Sequence, residues 1–306
     1  MFIKDVISLA TATCTLCFGG QNTLSHTPSF EDLMGSPTVT CSPQDLQDLR
    51  EFSEDYQKKI QYLNEPHRGT IPKVIHFVWL GPKPFPSISI QNVISWKTHH
   101  PNWQFILWTD SKEREPPIPG MEIRLVQEYD FGSLQPLIES TNYWAEKSDM
   151  IRYMILYNEG GIYADHDMWC EKSVAPLVDA FDCVVGCDPQ QQHPGIESAI
   201  ITNNSTIMAR PGHPILKKTI EGIVLGWDRA TQQCPGKDPE SSFMRTALRT
   251  LSPFVSAVKR YRNRKGNRDI ILPAAYMYPH GVFSKDVFEK LRADGYVFAI
   301  HKHINN

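Results

Sequence analysis

With 306 residues, 41% hydrophobic and 21% charged, the chain can bury a full core and reads as one large globular domain with a small appendage. Its 31 basic and 34 acidic side chains leave a formal net charge of −3, which excludes a global field drawing it to nucleic acid or an anionic membrane. Seven cysteines (Cys14, Cys17, Cys41, Cys170, Cys183, Cys187, Cys234) are too few and too scattered for a disulfide framework, and no second Cys/His pair completes a zinc site around Cys183 and Cys187, so that pair reads as core thiols.

In chain order, the run from Val6 to Phe18 is too short and too polar to span a bilayer, which takes about 20 apolar residues. It reads as an unstructured leader, with a weak secretory signal as the alternative, and residues 20–41, rich in Ser, Thr, Gly and Pro, read as linker. Residues 1–41 are therefore expected to be poorly ordered, and no transmembrane segment is expected. A leader of this size suits a bacterial protein that stays in the cytoplasm or is exported, a secreted effector included. Residues 42–66 predict an amphipathic helix packed on the main domain: Ser42 caps it, Pro43 opens it, and Leu46, Leu49, Phe52, Tyr56, Ile60 and Leu63 recur at three- and four-residue spacing.

From Ile71 the pattern alternates. IPKVIHFVWLG, WQFILW (103–108) and EIRLV (122–126) read as strands, with a helix from Ser87 to His99 between the first two. A helix over about 142–158 follows, then an Asp-x-Asp strand, then FDCVVGC and SAIIT as further strands. Helices are expected at about 213–225 and 240–251, with short strands near Ile270 and Tyr296. This alternation predicts an α/β fold for residues 67–306, with a mostly parallel sheet covered by helices and its ligands bound beyond the carboxyl ends of the strands.

The run from Tyr143 to Cys170 carries the chemistry. Asp165 and Asp167 end the apolar stretch Ile162-Tyr163-Ala164, so both carboxylates should sit where a strand breaks into a loop. Oxygen ligands of this kind suit Mn²⁺ or Mg²⁺, ions that share their coordination with substrate phosphates. Upstream, Asp149 and Arg152 lie three apart on the expected helix and can reach one pocket. The pattern reads as a nucleotide-diphosphate site.

These blocks resemble the DXD-motif, sugar-binding-region glycosyltransferases that include initiating α-1,6-mannosyltransferases (family 32), and are similar to the catalytic domains of large clostridial glucosylating toxins. The likeness rests on Ile75-His76-Phe77-Val78-Trp79-Leu80-Gly81, on Ser148-Asp149 with Arg152, and on Gly160-Gly161-Ile162-Tyr163-Ala164-Asp165-His166-Asp167-Met168. A weaker block runs from Asn203-Asn204 to His213-Pro214. The resemblance implies a GT-A-like, Rossmann-like nucleotide-sugar fold and a metal-dependent, retaining transfer of a hexose from a UDP- or GDP-sugar to a hydroxyl of a glycan, lipid or protein.

It also implies the roles. Trp79 would stack on the base, Ser148, Asp149 and Arg152 would bind donor sugar and phosphate, Tyr163 and Asp165 would contact ribose and sugar, and Asp167 would be the principal metal ligand with Asp165. Asn204 would lie on the acceptor side. His166, pointing away by strand alternation, reads as packing. His301 and His303 are further candidate ligands in place of the Ser-Trp closure that relatives carry near the C-terminus. The absence of that closure keeps open a second reading, a catalytically idle nucleotide-sugar-binding or partner-binding protein. The basic run KRYRNRKGNR (259–268) reads as a solvated loop.

Overall fold

The structure, a computed structural model, describes residues 28–65, 69–191, 193, 195–279 and 281–303. Apolar runs of four to eight residues build one seven-stranded sheet: β1 (Val74–Trp79), β2 (Gln104–Thr109), β3 (Glu122–Leu125), β4 (Gly161–Ala164), β6 (Cys183–Cys187), β7 (Thr202–Ala209) and β8 (Asp269–Leu272), in the order β3-β2-β1-β4-β7-β6-β8. Two short strands, β5 (Met168–Cys170) and β9 (Ala299–His301), pair antiparallel in a separate ribbon. All seven run parallel except β7, which is antiparallel to both neighbours. This is the expected α/β arrangement with a mostly parallel central sheet.

The reversed strand decides what meets at the site. β1, β2, β4 and β6 all end on one edge of the sheet, whereas β7 begins there. Asn203, Asn204 and Ser205 therefore lie beside the residues that follow β4, and Asp165 N donates to Ser205 O at 2.8 Å.

The Trp144–Asn158 helix lies under this edge with Met150, Ile151, Tyr153, Ile155 and Leu156 buried. Gly160 (φ 69) and Gly161 (φ 100) turn the chain from that helix into β4. A Cβ on Gly160 would stand 2.6 Å from Pro211 Cδ and one on Gly161 2.6 Å from Val74 Cγ1, so larger residues fit at neither position. His76, fully buried on β1, accepts from Trp108 Nε1 (3.1 Å) and donates from Nε2 to Gly160 O (3.0 Å), which ties β2 to the same turn. Burial lowers its pKa to about 4 and keeps the ring neutral.

Several expectations change. Residues 1–27, with the leader, Cys14 and Cys17, lie outside the described residues. Residues 28–41 are not linker throughout: Phe30–Met34 is a helix with a capping box between Ser29 and Asp32, and its Phe30, Leu33 and Met34 are fully buried. The next helix spans Pro43–Lys59, continues as a 3₁₀ segment (Ile60–Asn64), and buries Phe52 and Tyr56 while Leu46 stays exposed.

SAIIT is irregular, because the ladder with β6 starts only at Thr202. The later helices run longer than periodicity suggested, Pro214–Gln233 and then Pro239–Thr246, a π segment at Ala247–Leu251 and Ser252–Tyr261. The last strand lies at Ala299–His301 rather than near Tyr296. The basic run is not simply solvated. Arg262 donates to Asp55 (2.8 Å) and Glu51 (3.0 Å), and Lys259 pairs with Asp48, all on the Pro43–Lys59 helix. The expected core thiols Cys183 and Cys187 are buried and free, as are Cys170 and Cys234, while Cys41 is free and half-buried. Among the described residues no helix is long and apolar enough to cross a membrane.

Candidate donor and metal site

The Asp-x-Asp lies in the tight turn between β4 and β5, closed by Met168 N donating to Asp165 O (3.0 Å). The turn separates the side chains. Asp165 faces the Trp144–Asn158 helix, Asp167 faces β9, and His166 between them turns toward the Ser87–His99 helix.

Arg152 organises the first side. Its Nη2 lies 3.0 Å from Asp149 Oδ1 and 3.1 Å from Asp165 Oδ1, its Nη1 donates to Asn204 O (2.8 Å), and its guanidinium sits over the Tyr163 ring at 4.2 Å. Burial alone would lower the Arg152 pKa, but Asp165, Tyr163 and Asp149 raise it, so the guanidinium stays charged. Burial raises the Asp149 carboxyl, with Arg152 opposing. Asp149 is further braced by Asn204 Nδ2 (3.2 Å to Oδ1) and by Thr250 Oγ1 (2.5 Å to Oδ2). Thr250 projects from the π segment, the kind of local helix irregularity that gathers at functional sites.

Two expected roles shift here, those of Tyr163 and Asn204. Tyr163 is 1% exposed and donates its hydroxyl to Asp165 Oδ1 at 2.5 Å, so it orients that carboxylate and offers no open face to a ribose. Ser148 Oγ lies 3.4 Å from the same hydroxyl, at the edge of the cluster. Asn204, placed by the sequence on the acceptor side, bonds Asp149 and also Tyr153 OH (2.9 Å), and so acts from beneath.

On the second side, His301 Nε2 lies 3.2 Å from Asp167 Oδ2, and one ligand atom each from Asp165, Asp167 and His301 fall within 4.8 Å of one another. Burial disfavours protonation of His301, yet the hydrogen bond and charge of Asp167 prevail and raise its pKa. Two carboxylates and an imidazole make a donor set that a hard divalent cation accepts, the nitrogen suiting Mn²⁺ better than Mg²⁺. β5–β9 pairing brings His301 here, since Met168 is the register partner of His301. The His303 ring lies tilted at 42° against His301, with centroids 4.0 Å apart, but among the described residues the three-ligand group contains His301 alone of the pair.

His166 is packing, as alternation suggested. Its Nδ1 is 2.7 Å from Ser89 Oγ, its carbonyl accepts from Asn92 Nδ2 (3.0 Å), and its ring meets Trp79 edge-on at 4.9 Å. Burial lowers its pKa. Trp79 is half-buried at the end of β1, on the same edge as the turn. Thr250 and Tyr153 were missed. Tyr153 follows Arg152 in the very block that drew attention, whereas no local pattern marks Thr250.

Residues 86–183 match the family described as glycosyltransferase sugar-binding region containing DXD motif. Similar curated proteins include inositol phosphoceramide mannosyltransferase 1 of Schizosaccharomyces pombe (31% identity, 50% of this chain and 43% of the relative) and subversion of eukaryotic traffic protein A of Legionella pneumophila (30% identity, 52% and 26%). The chain thus spans less than half the length of either curated relative. Among solved structures, the PaToxG glycosyltransferase superposes with a TM-score of 0.48 at 19% identity, over 71% of this chain and 78% of that one. Over residues 86–183, the DXD turn included, the chain is similar to the glycosyltransferases that share this sugar-binding region.

Proposed function

We propose that the protein is a metal-dependent, retaining hexosyltransferase that takes a UDP- or GDP-hexose and transfers the sugar to a hydroxyl of a glycan, lipid or protein acceptor. The observation that carries this reading is the juxtaposition of Asp149, Arg152, Asp165, Asp167 and His301, which joins a guanidinium, a braced carboxylate and a three-ligand cation seat through the shared Asp165. Asp165, Asp167 and His301 would hold Mn²⁺ or Mg²⁺. When bound, the cation supplies Lewis-acid stabilisation of the departing diphosphate.

The chain's own residues do the rest. Arg152, kept charged, offers planar paired donors to phosphate or sugar oxygens. Asp149, held by Thr250 and Asn204, presents a fixed carboxylate to sugar hydroxyls, and Trp79 provides an aromatic face for the base. Two of these elements, Asp149 and Asp165, are preoriented by internal hydrogen bonds, so little ordering remains to be done when the donor arrives. Among hexoses, mannose is favoured by the names of the curated relatives.

The test is release of free nucleotide diphosphate from a panel of UDP- and GDP-hexoses with Mn²⁺, with Asp167→Asn as control. Release from one donor that vanishes in the variant supports the reading and names the sugar. Binding of every donor without release, with and without candidate acceptors, favours the idle-pocket alternative.

A further inference from the structure

We propose that Arg114, together with Asp110, is a positioning residue for the nucleotide: the pair clamps the chain that leaves β1 and so sets the attitude of Trp79. The inference rests on the donor reading above, in which Trp79 stacks on the base. The Trp79 indole Nε1 donates to Lys83 O at 2.9 Å. Arg114 donates to the same carbonyl from Nη1 (2.7 Å), to Gly81 O from Nη2 (2.5 Å) and to Thr109 Oγ1 from Nε (2.6 Å). Asp110 closes the clamp, accepting from Gly81 N through Oδ2 (2.9 Å) while its Oδ1 lies 3.7 Å from Arg114 Nη2.

Side chains just beyond the end of β2 thus bind the N–H and C=O of Gly81 and the C=O of Lys83. The clamp is enclosed, with the Arg114 side chain 7% exposed. Gly81 has φ 86, and a Cβ there would stand 2.8 Å from the Trp144 indole, which covers the turn from its other side.

Trp79 depends on this because its ring contacts are edge-on: Phe85 meets it at 5.6 Å and 65°, His166 at 4.9 Å and 78°. Neither is a parallel stack that would fix the ring by itself. The indole N–H bond to Lys83 O fixes the rotation, and Arg114 fixes Lys83 O. A guanidinium is required, since three donors in a rigid fork meet two carbonyls and a hydroxyl, and a lysine ammonium at one point cannot reach all three. Without the clamp, loop and indole would have to be ordered on each binding event, which costs affinity and leaves the chemistry at the Asp-x-Asp untouched.

The experiment measures UDP and GDP binding to the full chain by calorimetry with Mn²⁺, alongside donor KM and kcat, for Arg114→Ala, Arg114→Lys, Asp110→Asn and Trp79→Ala. Arg114→Ala is expected to weaken nucleotide binding about tenfold and raise KM, with kcat and Mn²⁺ affinity nearly unchanged, and Arg114→Lys is expected to recover little. A merely structural role would instead lower the active fraction, and so kcat, at unchanged KM.

Native affinity in Arg114→Ala while Trp79→Ala loses it would overturn the clamp. Unchanged affinity in Trp79→Ala would overturn the base-stacking role, and the clamp with it. If Arg114→Ala does not fold, Asp110→Asn decides, because its carboxamide still accepts from Gly81 N but no longer carries the charge facing Arg114. A two- to threefold loss of affinity at native melting temperature supports the clamp, and no loss overturns it.

Discussion

Two ion-pair clusters in this protein use the same residue types and differ in how deeply the guanidinium and its partners are buried. Around Arg152 the guanidinium is 6% exposed, its carboxylate partners Asp149 and Asp165 are 13% and 23% exposed, and each partner is also bonded to a neutral side chain. Around Arg262 the guanidinium is 13% exposed, but its partners Asp55 and Glu51, at 26% and 48%, remain open to water. The first cluster cannot lose a member without leaving an uncompensated charge in a low-dielectric setting, whereas the second docks a helix and can be rehydrated. The same ion pair is thus a rigid site in one place and an adjustable fastening in another.

The sharpest way to break this comparison is Arg152→Ala. We predict a loss of about 3–5 kcal/mol in stability, read by chemical denaturation, together with loss of donor binding, because Asp149 and Asp165 would face each other without their cation. A variant with native stability would show that water already reaches this cluster. Next comes Asp167→Asn, which keeps the shape of the turn but removes one anionic ligand. A fall of about a hundredfold in nucleotide release, about 3 kcal/mol of barrier, is expected with little change in melting temperature. Undiminished turnover would remove Asp167 from the cation seat.

The contrast extends to a buried group without charge. The His76 pKa falls from 6.5 to about 4 in the folded chain. Below pH 6.5 the unfolded chain therefore takes up the proton first. The stability owed to a neutral His76 is complete above about 6.5 and is lost progressively as pH drops to about 4, a predicted total of about 3 kcal/mol. His100, lowered to about 4 mainly by burial, contributes in the same window. Melting temperature against pH should slope through this range and flatten partly in His76→Gln; an equal slope in the variant would locate the proton uptake elsewhere. The smallest effect is expected at the surface cluster: Arg262→Ala should cost about 1 kcal/mol or less, decrease further with salt, and leave donor turnover unchanged. A loss of several kcal/mol in a denaturation curve would mean that the two clusters are alike after all.

Much of the fold was legible because its signals are short-ranged. The Ser87–His99 helix, the β1, β2, β3 and β6 strands and the Gly160-Gly161 stop follow from periodicity and backbone permissiveness within a few residues. The linker assigned to residues 20–41 failed where Phe30, Leu33 and Met34, only a turn of chain, are apolar enough to be fully buried once a core exists to receive them. SAIIT failed for the converse reason: it is apolar and buried in part, but no partner strand lies opposite it until Thr202. Within the site, Asp149, Arg152, Asp165 and Asp167 could be named from one contiguous block. The parts played by Tyr163 and Asn204 could not, since both depend on which neighbour their polar atoms meet.

By itself, the amino-acid sequence determined the helix caps at Ser42 and Gly160, the α/β alternation, and the block that presents a guanidinium and three carboxylates along one stretch of chain. These rest on local sterics, spacing and charge. Only the tertiary structure decided that β7 runs backwards and delivers Asn204 to the site, that Thr250 reaches Asp149 across 101 residues, and that β5 pairs with β9 so that His301 joins Asp167. Those contacts have no local signature because each belongs to two distant segments, and what brings them together is burial of the sheet and its helices around a shared core.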